Sequence, residues 1–75
     1  MLRGNIEAER ARLGFTKSQM GEALGVTLKT YTAYINGAPI PSNKLEKLRD
    51  MTGKTIDYLL GIEDIVAQQR DGESA

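Results

Sequence analysis

Seventy-five residues make one small domain, whose thin core buries only about 60–65% of the unfolded surface and leaves little room for a catalytic cleft. With no Cys and no His, disulfides, thiolate zinc sites, the commonest metal ligand and the commonest neutral-pH base are all missing, so no cofactor, no metal and no enzymatic activity are expected. Ten basic and ten acidic residues cancel overall, but residues 1–60 hold nine against six and residues 61–75 one against four, a mildly basic body with an acidic tail.

The apolar spacing is helical nearly throughout and is cut into short pieces by glycines. A first helix is expected over residues 2–13, with Ile6, Arg10 and Leu13 a turn apart and Gly14 as its stop. Gly4 and Asn5 within it have no evident role. Thr16 stands at an N-cap, with Gln19 as capping-box partner and Phe15 and Met20 at the positions of a hydrophobic staple. The second helix then runs from Lys17 to Leu24, Met20 and Leu24 facing inward, and Gly25 ends it.

Thr27 caps a third helix over residues 28–36. Thr30, Tyr31, Tyr34 and Ile35 recur at three- and four-residue spacing and face the core, with Val26 packing before the cap. Leu28, Lys29, Thr32, Ala33 and Asn36 fall on the opposite side. Helical phase assigns Tyr31 and Tyr34 to core packing with wet hydroxyls, not to stacking on single-stranded bases. Asn36 and Gly37 end the helix, and either tolerates a left-handed backbone.

Residues 38–41 form a loop stiffened by Pro39 and Pro41. Ser42 is expected to cap a fourth helix over residues 43–51, with the stripe Leu45, Leu48 and Met51 or Thr52. Its Lys44, Lys47 and Arg49 read as a solvated surface. Gly53 ends it, and Thr55 caps a short fifth helix with Ile56, Leu59 and Leu60 inward, closed by Gly61. Beyond the domain, residues 1–61, lies the acidic tail, residues 62–75. Ile62, Ile65 and Val66 are in phase for a short helix there, followed by a frayed polar end. No strand, repeat or membrane-spanning run is found, and residues 1–12 are too charged for a secretory signal, which points to the cytoplasm.

Residues 16–37, TKSQMGEALGVTLKTYTAYING, carry the functional signal. Two capped helices are joined through Gly25 by a turn too short for an antiparallel hairpin, which is a helix-turn-helix arrangement. Packing one face of the second of these helices on the first leaves its other face outward. An α-helix fits the DNA major groove, and helix N-termini offer free N–H groups to phosphates.

This segment resembles the Cro/CI-type, or XRE-type, helix-turn-helix domains of bacterial and phage repressors. Thr16, Met20, Leu24-Gly25-Val26-Thr27, Thr30 and Asn36-Gly37 carry the likeness, and TIDYLLG at residues 55–61 resembles the last helix of such domains. The resemblance covers residues 2–61 and implies an all-α, five-helix fold. It also implies a sequence-specific regulator of transcription that binds double-stranded DNA as a two-fold dimer. The family's base-reading positions fall on Leu28, Lys29, Thr32 and Ala33. Its backbone-contacting positions fall on Lys17, Thr27, Asn36 and the loop after Gly37, where Ser42, Asn43 and Lys44 are the candidates. Repression is the expected mode, because occluding a promoter needs no further surface.

Two departures from the family stand out. The acidic residue common before Asn-Gly is replaced by Ile35, so Arg10 loses that partner and must find a phosphate, Glu7 or another acid. The loop after Gly37 has no Lys or Arg of its own. The reading face lacks Arg and Gln and has no Asn before Asn36, so bidentate base recognition is absent and Leu28 and Ala33 offer only apolar contact, best suited to thymine methyls. Specificity then rests partly on DNA shape. The alternative is a protein-interaction module on the same scaffold, an antitoxin-like or phage adaptor, which neutral charge and the apolar outer face keep open. A dimer contact is expected from residues 56–60 and the apolar edge of the tail.

Overall fold

A computed structural model describes residues 3–62 of the chain. It contains five helices: α1 (Gly4–Leu13), α2 (Lys17–Leu24), α3 (Leu28–Ile35), α4 (Ser42–Thr52) and α5 (Ile56–Leu60). There is no strand among the described residues. The expected boundaries hold within two residues throughout. The structure begins α1 at Gly4 and gives it no side-chain cap.

Local chemistry accounts for the interior boundaries. The Thr16 hydroxyl accepts from Gln19 N–H at 3.1 Å and the Gln19 amide oxygen accepts from Thr16 N–H at 2.8 Å, a complete capping box. Thr27 and Thr55 each accept from the backbone N–H three residues on, at 3.1 Å, and so open α3 and α5. The cap expected of Ser42 is not formed. Pro41 occupies the N-cap of α4 and Ser42 is its first residue, because Pro41 carries an accepting carbonyl but no N–H to be left unsatisfied. Of the pair that ends α3, Asn36 stays at φ −96° and Gly37 takes the positive φ, 109°, which costs a glycine nothing.

The core is Ile6, Met20, Leu24, Tyr31, Ile35, Leu48 and Leu59, with Phe15, Val26, Ile40, Met51 and Tyr58 packed around it. Every helix therefore contributes at least one fully buried side chain. Leu48 and Thr52 form the buried line of α4, where Leu45 and Met51 are half-buried. The helix pair α2 and α3 is the most closely packed in the fold.

Gly21 explains how that pair comes so close. A Cβ there would lie 3.2 Å from the Val26 carbonyl oxygen and 3.3 Å from that of Thr27. The turn between the helices thus rests directly on α2, and Val26 N–H closes the contact by donating to Gly21 O at 2.8 Å. Gly25, in the same turn, has φ 77°, the left-handed conformation that lets α2 end and the chain reverse within two residues. The short helix-turn-helix joint is set by these two glycines.

Cations hold the helix ends. The Arg3 guanidinium donates to Tyr34 O at 2.6 Å and Ala38 O at 2.5 Å, and Arg3 N–H donates to Ile35 O at 3.0 Å. It grips the C-terminus of α3, where the helix dipole is negative. Arg12 reaches Thr52 O at 3.1 Å at the end of α4, and Lys44 Nζ donates to Leu24 O at 2.8 Å at the end of α2. Asn5 has a role after all: its amide donates to Tyr58 O at 2.7 Å and ties α1 to α5.

Candidate nucleic-acid interface

The third helix sorts its side chains as its sequence requires. Tyr31, Tyr34 and Ile35 are buried, whereas Leu28, Lys29, Ala33 and Asn36 are exposed, with Thr30 and Thr32 half-buried between them. The outward face therefore carries one ammonium, an aliphatic side chain at the first helical position, a hydroxyl and an amide. The opposite face is held rigidly, because Tyr31 and Ile35 sit in the middle of the core.

The five backbone-contact candidates other than Asn36 lie at the starts of α2, α3 and α4. Lys17, the first residue of α2, is about half exposed, and its ammonium lies 3.8 Å from Glu7 Oε1. Thr27 is exposed, and its hydroxyl already serves the cap, accepting from Thr30 N–H and donating to Thr30 Oγ1 at 3.0 Å. Ser42 and Asn43 are exposed in the first turn of α4. Lys44 differs: its ammonium is drawn inward to Leu24 O, so its expected place on a solvated surface is corrected, and in the free protein it braces the turn. A Cβ on Gly25 would lie 3.3 Å from that ammonium.

Behind the face lies a cluster that sequence reasoning anticipated only in part. Glu7 accepts from Arg10 Nε at 2.9 Å and from Arg10 Nη2 at 3.3 Å, and Arg10 Nη1 donates to Phe15 O at 2.5 Å. This is the partner that Arg10 takes in the absence of an acid at Ile35. The Tyr31 hydroxyl donates to Oε2 of the same carboxylate. The expectation of a wet hydroxyl is thereby corrected for Tyr31, which is fully buried.

Glu7 thus joins α1 to the outward-facing helix and to the start of α2. Burial acts to raise its pKa, but the hydrogen bonds from Arg10 and Tyr31 and the charges of Arg10 and Lys17 outweigh burial and bring it below the ordinary carboxylate value. Burial and the adjacent Glu7 carboxylate push the Tyr31 phenol far above its usual range, so it remains a hydrogen-bond donor. A second internal acid, Glu9, is 5% exposed and is held by Arg12 Nε at 2.8 Å. No buried side-chain polar atom among the described residues lacks a hydrogen-bond partner.

Sequence reasoning missed Glu9, Gly21, Asn5 and the clamps made by Arg3 and Lys44. Gly21 had a visible signal: a glycine inside a short helix costs about 1 kcal/mol relative to Ala, which calls for a packing reason. The clamps had none, since long basic side chains look alike whether solvated or folded back.

A shallow depression on α2, lined by Phe15, Gln19, Glu22 and Ala23, contains no nucleophile paired with a base. No group of His, Cys, Asp or Glu among the described residues is arranged to hold a metal, and none of their helices is long and apolar enough to cross a membrane. A family model described as helix-turn-helix matches residues 6–59, from the first buried residue of α1 to the last of α5. Comparison with curated proteins and with solved structures returned no significant match.

Proposed function

The chain belongs to the Cro/CI-type helix-turn-helix family and is a DNA-binding transcription regulator of that type, and from this premise we propose a sequence-specific repressor acting in the cytoplasm on double-stranded DNA. One observation carries the reading. The third helix is anchored through Tyr31, Tyr34 and Ile35 and turns Leu28, Lys29, Ala33 and Asn36 to solvent. A helix so presented fits the major groove, with its N-terminal side chains nearest the base edges.

In this reading Leu28, Lys29, Thr32 and Ala33 meet bases. Lys29 donates to guanine O6 or N7. Lys17, Thr27 and Asn36 meet the phosphate backbone, helped by Ser42 and Asn43, and set register without reading sequence. Lys44 joins them only by leaving Leu24 O. One such domain reads about four or five base pairs, which is too little information against a genome of competing sites. A two-fold dimer with recognition helices about 34 Å apart supplies the rest. Ile62, exposed beyond α5, leads into the edge assigned to pairing; Ile65 and Val66 lie outside the described residues.

The deciding experiment is selection of sites from random duplex DNA, followed by salt titration on the best site. A near-palindromic enriched site is the expected result. No enrichment even at low salt would overturn the reading in favour of a protein-interaction module that uses the exposed Leu28 face.

A further inference from the structure

Two large hydrophobic side chains are exposed among the described residues, Leu28 at 48% and Ile62 at 40%. Ile62 adjoins the tail. Leu28 stands apart from it, as the first residue of α3, and belongs to neither the core nor the shell packed on it. Local structure gives no reason for a leucine there. Thr27 already caps the helix, and alanine is the better helix former at an exposed position.

The surroundings define what such a side chain can meet. Lys29 is exposed beside it, and Thr32, one turn on, is half-buried. The outward face therefore couples an apolar group with a single cation, which suits a polyanion whose groove floor has apolar spots. In the major groove every base-pair position offers donors and acceptors, and the apolar feature is pyrimidine C5, which bears a methyl in thymine and a hydrogen in cytosine.

We propose that Leu28 is a specificity-determining residue that reads the C5-methyl group of a pyrimidine in double-stranded DNA, a thymine or equally a 5-methylcytosine. The inference rests on α3 being the helix that enters the groove. Leucine has no donor or acceptor, so at its position the protein discriminates by the methyl and not by the hydrogen-bonding edge. Cytosine methylation there converts a disfavoured site into a favoured one. Regulation by DNA methylation would follow from one aliphatic side chain.

The test uses duplexes carrying the selected site. Each thymine is replaced in turn, symmetrically in both half-sites, by deoxyuridine, which removes the methyl and leaves the Watson–Crick pair intact. Fluorescence anisotropy should find one position per half-site where this weakens binding about fourfold, the effect of losing contact with one methyl-sized group. At that same position a 5-methylcytosine duplex should bind about fourfold more tightly than its cytosine counterpart. Leu28→Ala should bring both ratios to about one while circular dichroism shows the fold unchanged. Indifference to deoxyuridine at every thymine would overturn the proposal, as would a ratio that survives Leu28→Ala. If selection yields no site at all, the DNA-reading premise fails and the proposal with it; a selected site indifferent to deoxyuridine refutes the proposal alone.

Discussion

Tyr31→Phe isolates the link between the first helix and the recognition helix. The ring stays, so the burial of a fully enclosed aromatic is retained and only the hydroxyl is lost. That hydroxyl donates to the Glu7 carboxylate, which keeps both hydrogen bonds from Arg10, so no acceptor is left without a partner. A hydrogen bond to a charged group contributes about 1.5–3 kcal/mol, and the remaining Arg10 contacts place the loss near the lower end, about 2 kcal/mol. In a domain of this size that corresponds to a fall in Tm of about 8–16 °C. Acid should shrink the difference. The folded pKa of Glu7 lies below its unfolded value of about 4.3, so its stabilising contribution is fully present above that value. It is lost as pH falls through the lower, folded pKa. Urea titrations followed by circular dichroism, at neutral pH and at successive steps below pH 4, measure both effects. Equal stability of the two proteins at neutral pH, or a difference that does not diminish in acid, would refute the role given to Glu7.

Lys17→Ala should weaken DNA binding to a similar extent on every sequence and reduce the salt slope by about one per half-site; a loss confined to particular sequences would contradict a phosphate contact. Lys29→Ala should cost about 1–3 kcal/mol on the selected site and relax preference at one position of each half-site, measured by repeating the selection with the variant. Gly21→Val would drive a branched side chain into the Val26 and Thr27 carbonyls and should destabilise the domain by about 1–3 kcal/mol in urea. Wild-type stability in that variant would mean that the turn is not packed as tightly as these distances indicate.

Where the chain announces its own local structure, the sequence was sufficient. Thr16 with Gln19, Thr27 and Thr55 mark three helix starts through hydrogen bonds within four residues, and the three- and four-residue spacing of Tyr31, Tyr34 and Ile35 sets the phase of α3. That phase alone defines the outward face. Ser42 misled because a serine ahead of a helical run is a good cap, whereas the Pro41 carbonyl opens the helix one residue earlier. What stayed hidden is long-range. Nothing in the spacing says that Arg3 reaches across 31 residues to Tyr34 O, or that Lys44 turns back to Leu24 O. Both side chains have four or more rotatable bonds, and their destination depends on how whole helices are arranged.

The internal use of these cations bears on how long the protein stays on DNA that it does not read. Arg3, Arg10, Arg12 and Lys44 each donate to a backbone carbonyl. Arg10 and Arg12 are also paired with Glu7 and Glu9, so their charge is neutralised within the domain. While bound in this way they cannot lie against phosphates and expel counterions, the process that holds a protein on DNA of any sequence. DNA of random sequence should then hold the protein only briefly. Such a regulator samples the genome through many brief visits, and a lasting stay depends on what the outward face of α3 finds in the groove.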